Sequence, residues 1–120
     1  MNIDSVRVFV NDLAEANHFY EQILGLECVA DGTDEGYMVY RPGEINLIVE
    51  TVDKDSEEER DLVGRFTGIS IHEHDVETMC RQLKKIDEKC VVDDPSEQNW
   101  GGVMAHIMDP SGNIITLVEY

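Results

Sequence analysis

The stretch that decides the fold is residues 5–24, SVRVFVNDLAEANHFYEQIL. Val6, Val8 and Val10 alternate with other side chains, which is typical of a strand with one buried face. Asp12 suits the N-cap of a helix, because its carboxylate can accept amide hydrogens that the first turn leaves unpaired. Apolar residues then recur at three- and four-residue steps. They are Leu13, Ala16, Phe19, Tyr20, Ile23 and Leu24. The stretch therefore predicts a strand that leads directly into a helix with one buried face.

The same pattern recurs 63 positions later, in GISIHEHDVETMCRQLKKID, residues 68–87. Asp75 stands in the place of Asp12, and Gly68 stands in the place of Ser5. The two copies agree in pattern more than in identity. An internal repeat of this kind predicts two similar units, neither of which covers its sheet alone.

Each predicted helix is followed by three short runs of β-forming residues. The first set is LECVA, YMVY and INLIV, broken by DGTDEG and RPGE, and Gly25 suits a left-handed cap before it. The second set is KCVV, VMAHIM and NIITLVE, broken by DDPSEQNWGG and DPSG. We therefore predict an α+β fold of tandem βαβββ repeats, whose curved mixed sheets surround a concave cavity. A ferredoxin-like α+β barrel is the alternative, although it needs fewer strands.

The 120 residues fit a single domain spanning 1–120. Repeat one covers 1–50 and repeat two covers 66–120. Between them, the acidic connector 51–65 lacks alternation and is expected to lie outside the core.

The amino-acid composition argues against some classes of binding partner. Twenty-six acidic residues against nine basic ones give a net charge of −17, which repels nucleic acid and anionic lipid. This charge favours solubility and leaves room for a cationic ligand. No apolar run is long enough to cross a bilayer and no signal peptide is recognisable, so we expect a cytoplasmic protein. Cys28, Cys80 and Cys90 lack the C-x-x-C spacing of a thiolate metal site.

Two segments carry a family resemblance. The first, VNDLAEANHFYEQILGLE, presents Asp12, Leu13, Ala16, Phe19, Tyr20, Leu24 and Gly25. The second, WGGVMAHIMDPSGNIITLVE, presents Trp100, Gly101, Asp109, Pro110, Gly112 and Asn113. With the repeat, they resemble the vicinal oxygen chelate superfamily of glyoxalases, bleomycin resistance proteins and extradiol dioxygenases. The resemblance covers nearly all of the chain and implies the fold predicted above.

The resemblance also implies where a metal ion would bind. Metal-dependent relatives use His, Gln or Glu from the first and last strand of each repeat. The matching positions here are Ser5, Asn46, Gly68 and Thr116, and a slip of register would bring Ile48 or Glu50 to the second. None of the four is a His or a carboxylate, so we expect no metal ion and no cofactor.

Displaced ligands are the alternative to an absent metal site. His72, His106 and Glu50 lie on the same predicted strand faces as the inherited positions and could supply donors. We favour ordinary roles for them, because the spacing shows no convergence on one point.

The residue types left on the predicted cavity wall suit a small organic ligand. Alternation places Arg7 on the strand face away from the apolar valines. It likewise places His106 on the face away from Ala105 and Ile107. Trp100 is predicted either to close over a planar ligand or to pack at the rim or a dimer seam. Met38 and Tyr40 are further candidates for the wall. The predicted ligand-binding residues are Arg7, Phe9, Asn46, Ser70, Trp100, Met104, His106 and Thr116.

Two classes of function remain at this stage. The first is sequestration of an organic ligand without a metal ion, in the manner of bleomycin resistance proteins, with cationic ligands attracted by the acidic surface. The second is a glyoxalase-like isomerase or lyase, or a dioxygenase, either metal-independent or with displaced ligands. In the metal-independent form, His106 would act as general base and Arg7 would hold an anion. The resemblance further implies a homodimer.

Overall fold

The computed structural model describes all 120 residues, which divide into two compact units. The first unit comprises Met1–Arg65 and Pro110–Asn113, and the second comprises Phe66–Asp109 and Ile114–Tyr120. Each unit contains one four-stranded mixed sheet with a helix, so the predicted tandem βαβββ order is confirmed. None of the helices is both long and apolar enough to cross a membrane.

The first unit builds its sheet in the order β1-β4-β3-β2. The strands are β1 (Ser5–Val10), β2 (Cys28–Gly32), β3 (Tyr37–Tyr40) and β4 (Asn46–Thr51), with a 3-10 turn at Thr33–Glu35. The β1–β4 pair is parallel, and the other two pairs are antiparallel. Val8, Val10, Leu47 and Val49 are buried at 2% exposure or less, which confirms the alternation predicted for β1.

The first helix combines two helical forms. Helix α1 (Leu13–Asn17) continues as a π-helix over His18–Ile23. Asp12 caps its start by accepting the Glu15 amide hydrogen at 2.9 Å, as predicted. The wider turn is visible at the end, where the Leu24 amide donates to the Phe19 carbonyl at 2.9 Å, five residues back. Gly25 follows with φ 73°, a left-handed conformation that favours glycine.

The acidic connector is more ordered than expected. It contains the short helix α2 (Glu57–Arg60), capped by Ser56. Val52 is an exception to the prediction that the connector lies outside the core, because it is only 8% exposed. The backbone of Val63 also forms a bridge to Phe9.

The second unit repeats the topology with the order β5-β8-β7-β6. Its elements are β5 (Phe66–His72), α3 (Val76–Ile86), β6 (Val91–Glu97), β7 (Val103–Met108) and β8 (Ile114–Glu119), with a 3-10 turn at Glu88–Cys90. Asp75 caps α3 by accepting the Thr78 amide hydrogen at 3.0 Å, as predicted. The buried face of α3 presents Val76, Cys80 and Leu83.

Strand β6 differs from its prediction. The run DDPSE was predicted as a break after Val92, yet the strand continues to Glu97. Because β6 lies at the edge of its sheet, Pro95 needs no partner for its missing amide hydrogen. Register shifts between Val91 and Ser96 also absorb the irregularity. The extension brings acidic side chains alongside β7.

Candidate ligand-binding site

The open face of the first sheet is the one that turns away from its helix. Arg7 and Phe9 alternate with the buried valines of β1, so they lie on this face. The Nε of Arg7 donates to Oε1 of Glu50 at 2.7 Å, and the guanidinium lies 5.2 Å from the Phe9 ring centroid. The hydrogen bond and the charge of Glu50 raise the pKa of Arg7. This face therefore carries a cation that is already largely neutralised.

Met38 and Tyr40 do not lie on this face, and their assignment to the cavity wall is wrong. Both are buried, at 4% and 0% exposure, on the side of the helix. Tyr40 pairs in register with buried Leu47, which fixes its side of the sheet. Its hydroxyl donates to the Asn17 side chain at 2.5 Å, and burial raises its pKa.

Two of the inherited metal positions lie side by side in the first sheet. Ser5 is the register partner of Asn46, across the parallel pair of β1 and β4. The Oδ1 atom of Asn46 is buried and has no hydrogen-bond partner in the protein. A hydroxyl and an amide are weak ligands for the divalent ions that prefer imidazole and carboxylate.

The other two positions lie in the second sheet and are not register partners. Thr116 is buried at 3% exposure and lies opposite Ser70, two residues beyond Gly68. The register of β5 shifts between Phe66 and Ser70, and Gly68 adopts φ 75° within that interval. A histidine at this left-handed position would be strained. The residues at the four positions therefore do not fit a divalent metal ion.

The open face of the second sheet centres on His106. Its neighbours Ala105 and Ile107 are buried at 2% and 0% exposure on the helix side, so His106 lies on the opposite face. Its Nδ1 lies 2.6 Å from Oδ2 of Asp93, and its ring meets that of Phe66 edge-on with centroids 5.3 Å apart. Three groups of different chemistry thus converge here.

The remaining predicted residues of the second unit lie around this cluster. Thr116 is the register partner of both His106 and Ser70, so these three residues form one row across the sheet. Met104 lies on the same face as His106 and is half-buried. A cavity of about 300 Å³ lies beside β6 and β7, and its lining includes Asp93, Ser96, Met104 and His106.

The proposed displaced ligands have other positions and partners within their own units. His72 lies on β5 and His106 on β7, with β8 between them. The His72 ring contacts Tyr120 with centroids 5.5 Å apart, while Glu50 is bound by Arg7. No group of three or more His, Cys, Asp or Glu side chains is placed to hold a metal ion.

Trp100 lies in the loop between β6 and β7 of the second unit. It is 53% exposed, and its ring contacts that of Tyr120 at 5.7 Å. The indole also covers Gly102, where an added Cβ would overlap it at 1.8 Å. The indole is therefore held by its neighbours while one part faces solvent.

Asp93 and Phe66 are site residues that the sequence reasoning missed. Asp93 fell in the run predicted as a break, and its contact with His106 depends on the extension of β6. Phe66 carried a usable signal, since it alternates with Gly68, Ser70 and His72 along β5.

The comparisons with known proteins agree with the fold. Residues 2–117 match the Glyoxalase/Bleomycin resistance protein/Dioxygenase superfamily. No curated protein matches the sequence significantly.

Three solved structures illustrate the shared fold. A superfamily member from Sphaerobacter thermophilus DSM 20745 has 24% identity and a TM-score of 0.82, covering 100% of this chain and 98% of that one. TnmS3, an antibiotic-binding protein from Streptomyces sp. CB03234, has 24% identity and a TM-score of 0.77, covering 99% and 95%. Lactoylglutathione lyase from Agrobacterium tumefaciens has 19% identity and a TM-score of 0.74, covering 98% and 92%. The chain therefore belongs to the glyoxalase, bleomycin resistance protein and dioxygenase superfamily.

Proposed function

We propose that this protein binds a small, planar organic cation in the cytoplasm and holds it unchanged, without a metal ion. The observation that carries the proposal is the cluster of Asp93, His106 and Phe66 beside the 300 Å³ cavity. Each member offers a different means of recognition on one open sheet face. The likeness in fold to an antibiotic-binding protein is compatible with this role.

The cluster suits an aromatic cation for electrostatic and geometric reasons. Phe66 is 62% exposed, so much of its ring is available for stacking. The side chain of Asp93 is 68% exposed and supplies a negative charge beside the His106 ring. When the neutral His106 donates its Nδ1 hydrogen to Asp93, its Nε2 becomes an acceptor for a ligand N–H. The net charge of −17 adds a general attraction for cations.

The metal-free part of the proposal follows from donor chemistry. A divalent ion needs several imidazole or carboxylate donors at about 2 Å. The positions that the superfamily would use offer Ser5, Asn46, Gly68 and Thr116 instead. Such a set leaves recognition to hydrogen bonds and stacking.

A pair of probes of opposite charge tests the proposal. The planar cation 9-aminoacridine should bind with quenching of its fluorescence and be recovered unchanged, whereas the planar anion 1-pyrenesulfonate should not bind. His106→Ala and Asp93→Asn should each weaken 9-aminoacridine binding, by about tenfold for the loss of one charge-assisted contact. His74→Ala is the matched control, because His74 is exposed and lies beyond the end of β5. Equal binding of both probes, or none of either, would contradict the proposal.

One observation favours an enzyme as the second candidate. Asp93 lies 2.6 Å from Nδ1 of His106 and holds the imidazole in one orientation. A carboxylate plays the same part beside a histidine that acts as general base. A glyoxalase-like isomerase or lyase could use such a base. Arg7 is a poor anion clamp for it, because Glu50 already binds its Nε. Turnover of the methylglyoxal–glutathione hemithioacetal that is abolished in His106→Ala would establish this candidate in place of the first.

We also propose a homodimer, as the family membership suggests. A two-fold interface has to be self-complementary, so the same apolar strip would occur on both partners. Exposed apolar side chains such as Ile3 and Ile45 are available in the first unit. Sedimentation velocity at micromolar concentration should give a species of twice 13.6 kDa. A single species at the monomer mass would remove the proposal.

A further inference from the structure

Gln98 directly follows strand β6, and its side chain lines the cavity of about 300 Å³ that also contains His106. The Nε2 of Gln98 donates to the backbone carbonyl and to the Oγ of Ser96, at 3.1 Å in each case. Because a carbonyl oxygen can only accept a hydrogen bond, the NH2 end of the amide has to face Ser96. The orientation of the Gln98 amide is therefore fixed, and its acceptor Oε1 is left for a ligand.

Gln98 and His106 lie at opposite ends of this cavity. The backbone amide of Gln98 donates to the Gly102 carbonyl at 2.7 Å, so Gln98 lies level with Gly102 across the hairpin. Asp93 is the register partner of His106 at the other end. An extended chain covers about 13 Å from Gly102 to His106. The cavity therefore has hydrogen-bond acceptors near each end, Oε1 of Gln98 at one and His106 with Asp93 at the other.

Met104 lies between the two ends of the cavity. It is half-buried, lines the cavity and lies on the same face of β7 as His106. Its register partner is Ser96, the residue that holds the Gln98 amide. A thioether makes favourable contacts with aromatic rings and has no hydrogen to donate. A flat ring system that packs on Met104 would therefore extend towards Gln98 at one end and towards His106 at the other.

We infer that Gln98 selects planar cations with N–H donors at both ends, one donating to Oε1 of Gln98 and the other to His106 or Asp93. The inference rests on the proposed binding function and adds a chemical class to it. Fused-ring aromatic diamines have this pattern of donors, whereas their N-alkylated analogues keep the positive charge and lose the donors. The net charge of −17 attracts both kinds alike, so the hydrogen bonds have to discriminate between them.

Two acridine dyes of equal charge test the inference. Proflavine carries an NH2 group at each end of its ring system, and acridine orange carries dimethylamino groups at the same places. Fluorescence titration should show tighter binding of proflavine. Gln98→Met keeps the length of the side chain but removes Oε1, so it should weaken proflavine binding about tenfold and leave acridine orange binding unchanged. Gln98→Glu keeps an acceptor oxygen and should retain the preference for proflavine.

Gln82→Met is the matched control, because Gln82 is exposed on α3 and does not line this cavity. It should change the binding of neither dye. The thermal melting temperature of every variant shows that it is folded. Equal binding of the two dyes, equal weakening of both in Gln98→Met, or a preference unchanged in that variant would overturn the inference. The proposed function would survive these results if binding still depended on His106 and Asp93. Binding of neither dye would overturn both.

Discussion

The open faces of the two sheets share a topology but differ in chemistry. Both sheets have the order first, fourth, third, second strand of their repeat. In the first sheet β1 and β4 pair without interruption over six residues, whereas in the second the register of β5 shifts around Gly68. The first face carries the neutralised pair of Arg7 and Glu50, and the second carries His106 with Asp93. The repeat therefore preserves the backbone architecture while the side chains on the two open faces differ.

The largest expected effect is a difference in stability between substitutions on the two faces of β7. Ile107→Ala should lower the free energy of unfolding by about 2–5 kcal/mol, because Ile107 is completely buried and its loss leaves a cavity. His106→Ala should lower it by less, since the His106 side chain is 27% exposed whereas Ile107 is completely buried. Urea unfolding measures both. The reverse order would move His106 into the core.

The next largest effect on stability is expected at Asn113, in the segment Pro110–Asn113 that belongs to the first unit. Asn113 is 1% exposed; its Oδ1 accepts the Gly64 amide at 2.9 Å and its Nδ2 donates to the Phe9 carbonyl at 2.8 Å. Asn113→Ala should therefore lower the free energy of unfolding by about 2–3 kcal/mol. Asn11→Ala is a suitable control, because Asn11 is exposed and contributes its backbone amide to Ser111. Equal melting temperatures for the two variants would contradict the role of Asn113.

A smaller loss of stability is expected at alkaline pH, and it arises on the buried face of α3. Burial raises the pKa of Cys80 to about 11 from an ordinary value of 9.0. Because the folded state holds this proton more tightly, the contribution is complete below pH 9 and is lost as pH rises through about 11. Two pKa units correspond to about 2.7 kcal/mol, of which solvent screening should leave about 2 kcal/mol. Between pH 9 and about 11, the free energy of unfolding should fall less steeply with pH in Cys80→Ala than in the unsubstituted protein. An unchanged slope would show that other groups cause the fall.

The smallest effect lies at acid pH and at the start of α3. Hydrogen bonds from the Thr78 amide and hydroxyl lower the pKa of Asp75 below its ordinary value of 3.8. The stability that Asp75 contributes is thus present above pH 3.8 and is lost as pH falls through the lowered pKa. Asp75→Asn keeps a capping oxygen without this titration, so its melting temperature should fall less on acidification. A parallel fall in both proteins would contradict this assignment.

Sequence patterns predicted the fold more fully than the site. Alternation in β1 and the aspartate caps at Asp12 and Asp75 are local signals, and the structure confirms them. The pairing of Asp93 with His106 depends on an irregular edge strand, which local propensity disfavours because it contains Pro95. The face of Tyr40 also escaped prediction, because the hydrogen bond of its hydroxyl to Asn17 joins residues 23 positions apart, which local alternation does not reveal.

The most direct test of the central claim is a metal-binding measurement on the intact protein. The proposal is that the chain binds an organic ligand without a metal ion, because Ser5, Asn46, Gly68 and Thr116 stand where metal-dependent relatives would carry their metal ligands. The purified protein is incubated with Ni²⁺, Zn²⁺, Mn²⁺ or Fe²⁺, desalted, and analysed by inductively coupled plasma mass spectrometry, while 9-aminoacridine binding is measured with and without chelator. We expect far less than one ion per chain, and we expect the chelator to leave 9-aminoacridine binding unchanged. Retention of one ion per chain, with loss of 9-aminoacridine binding on chelation, would contradict it.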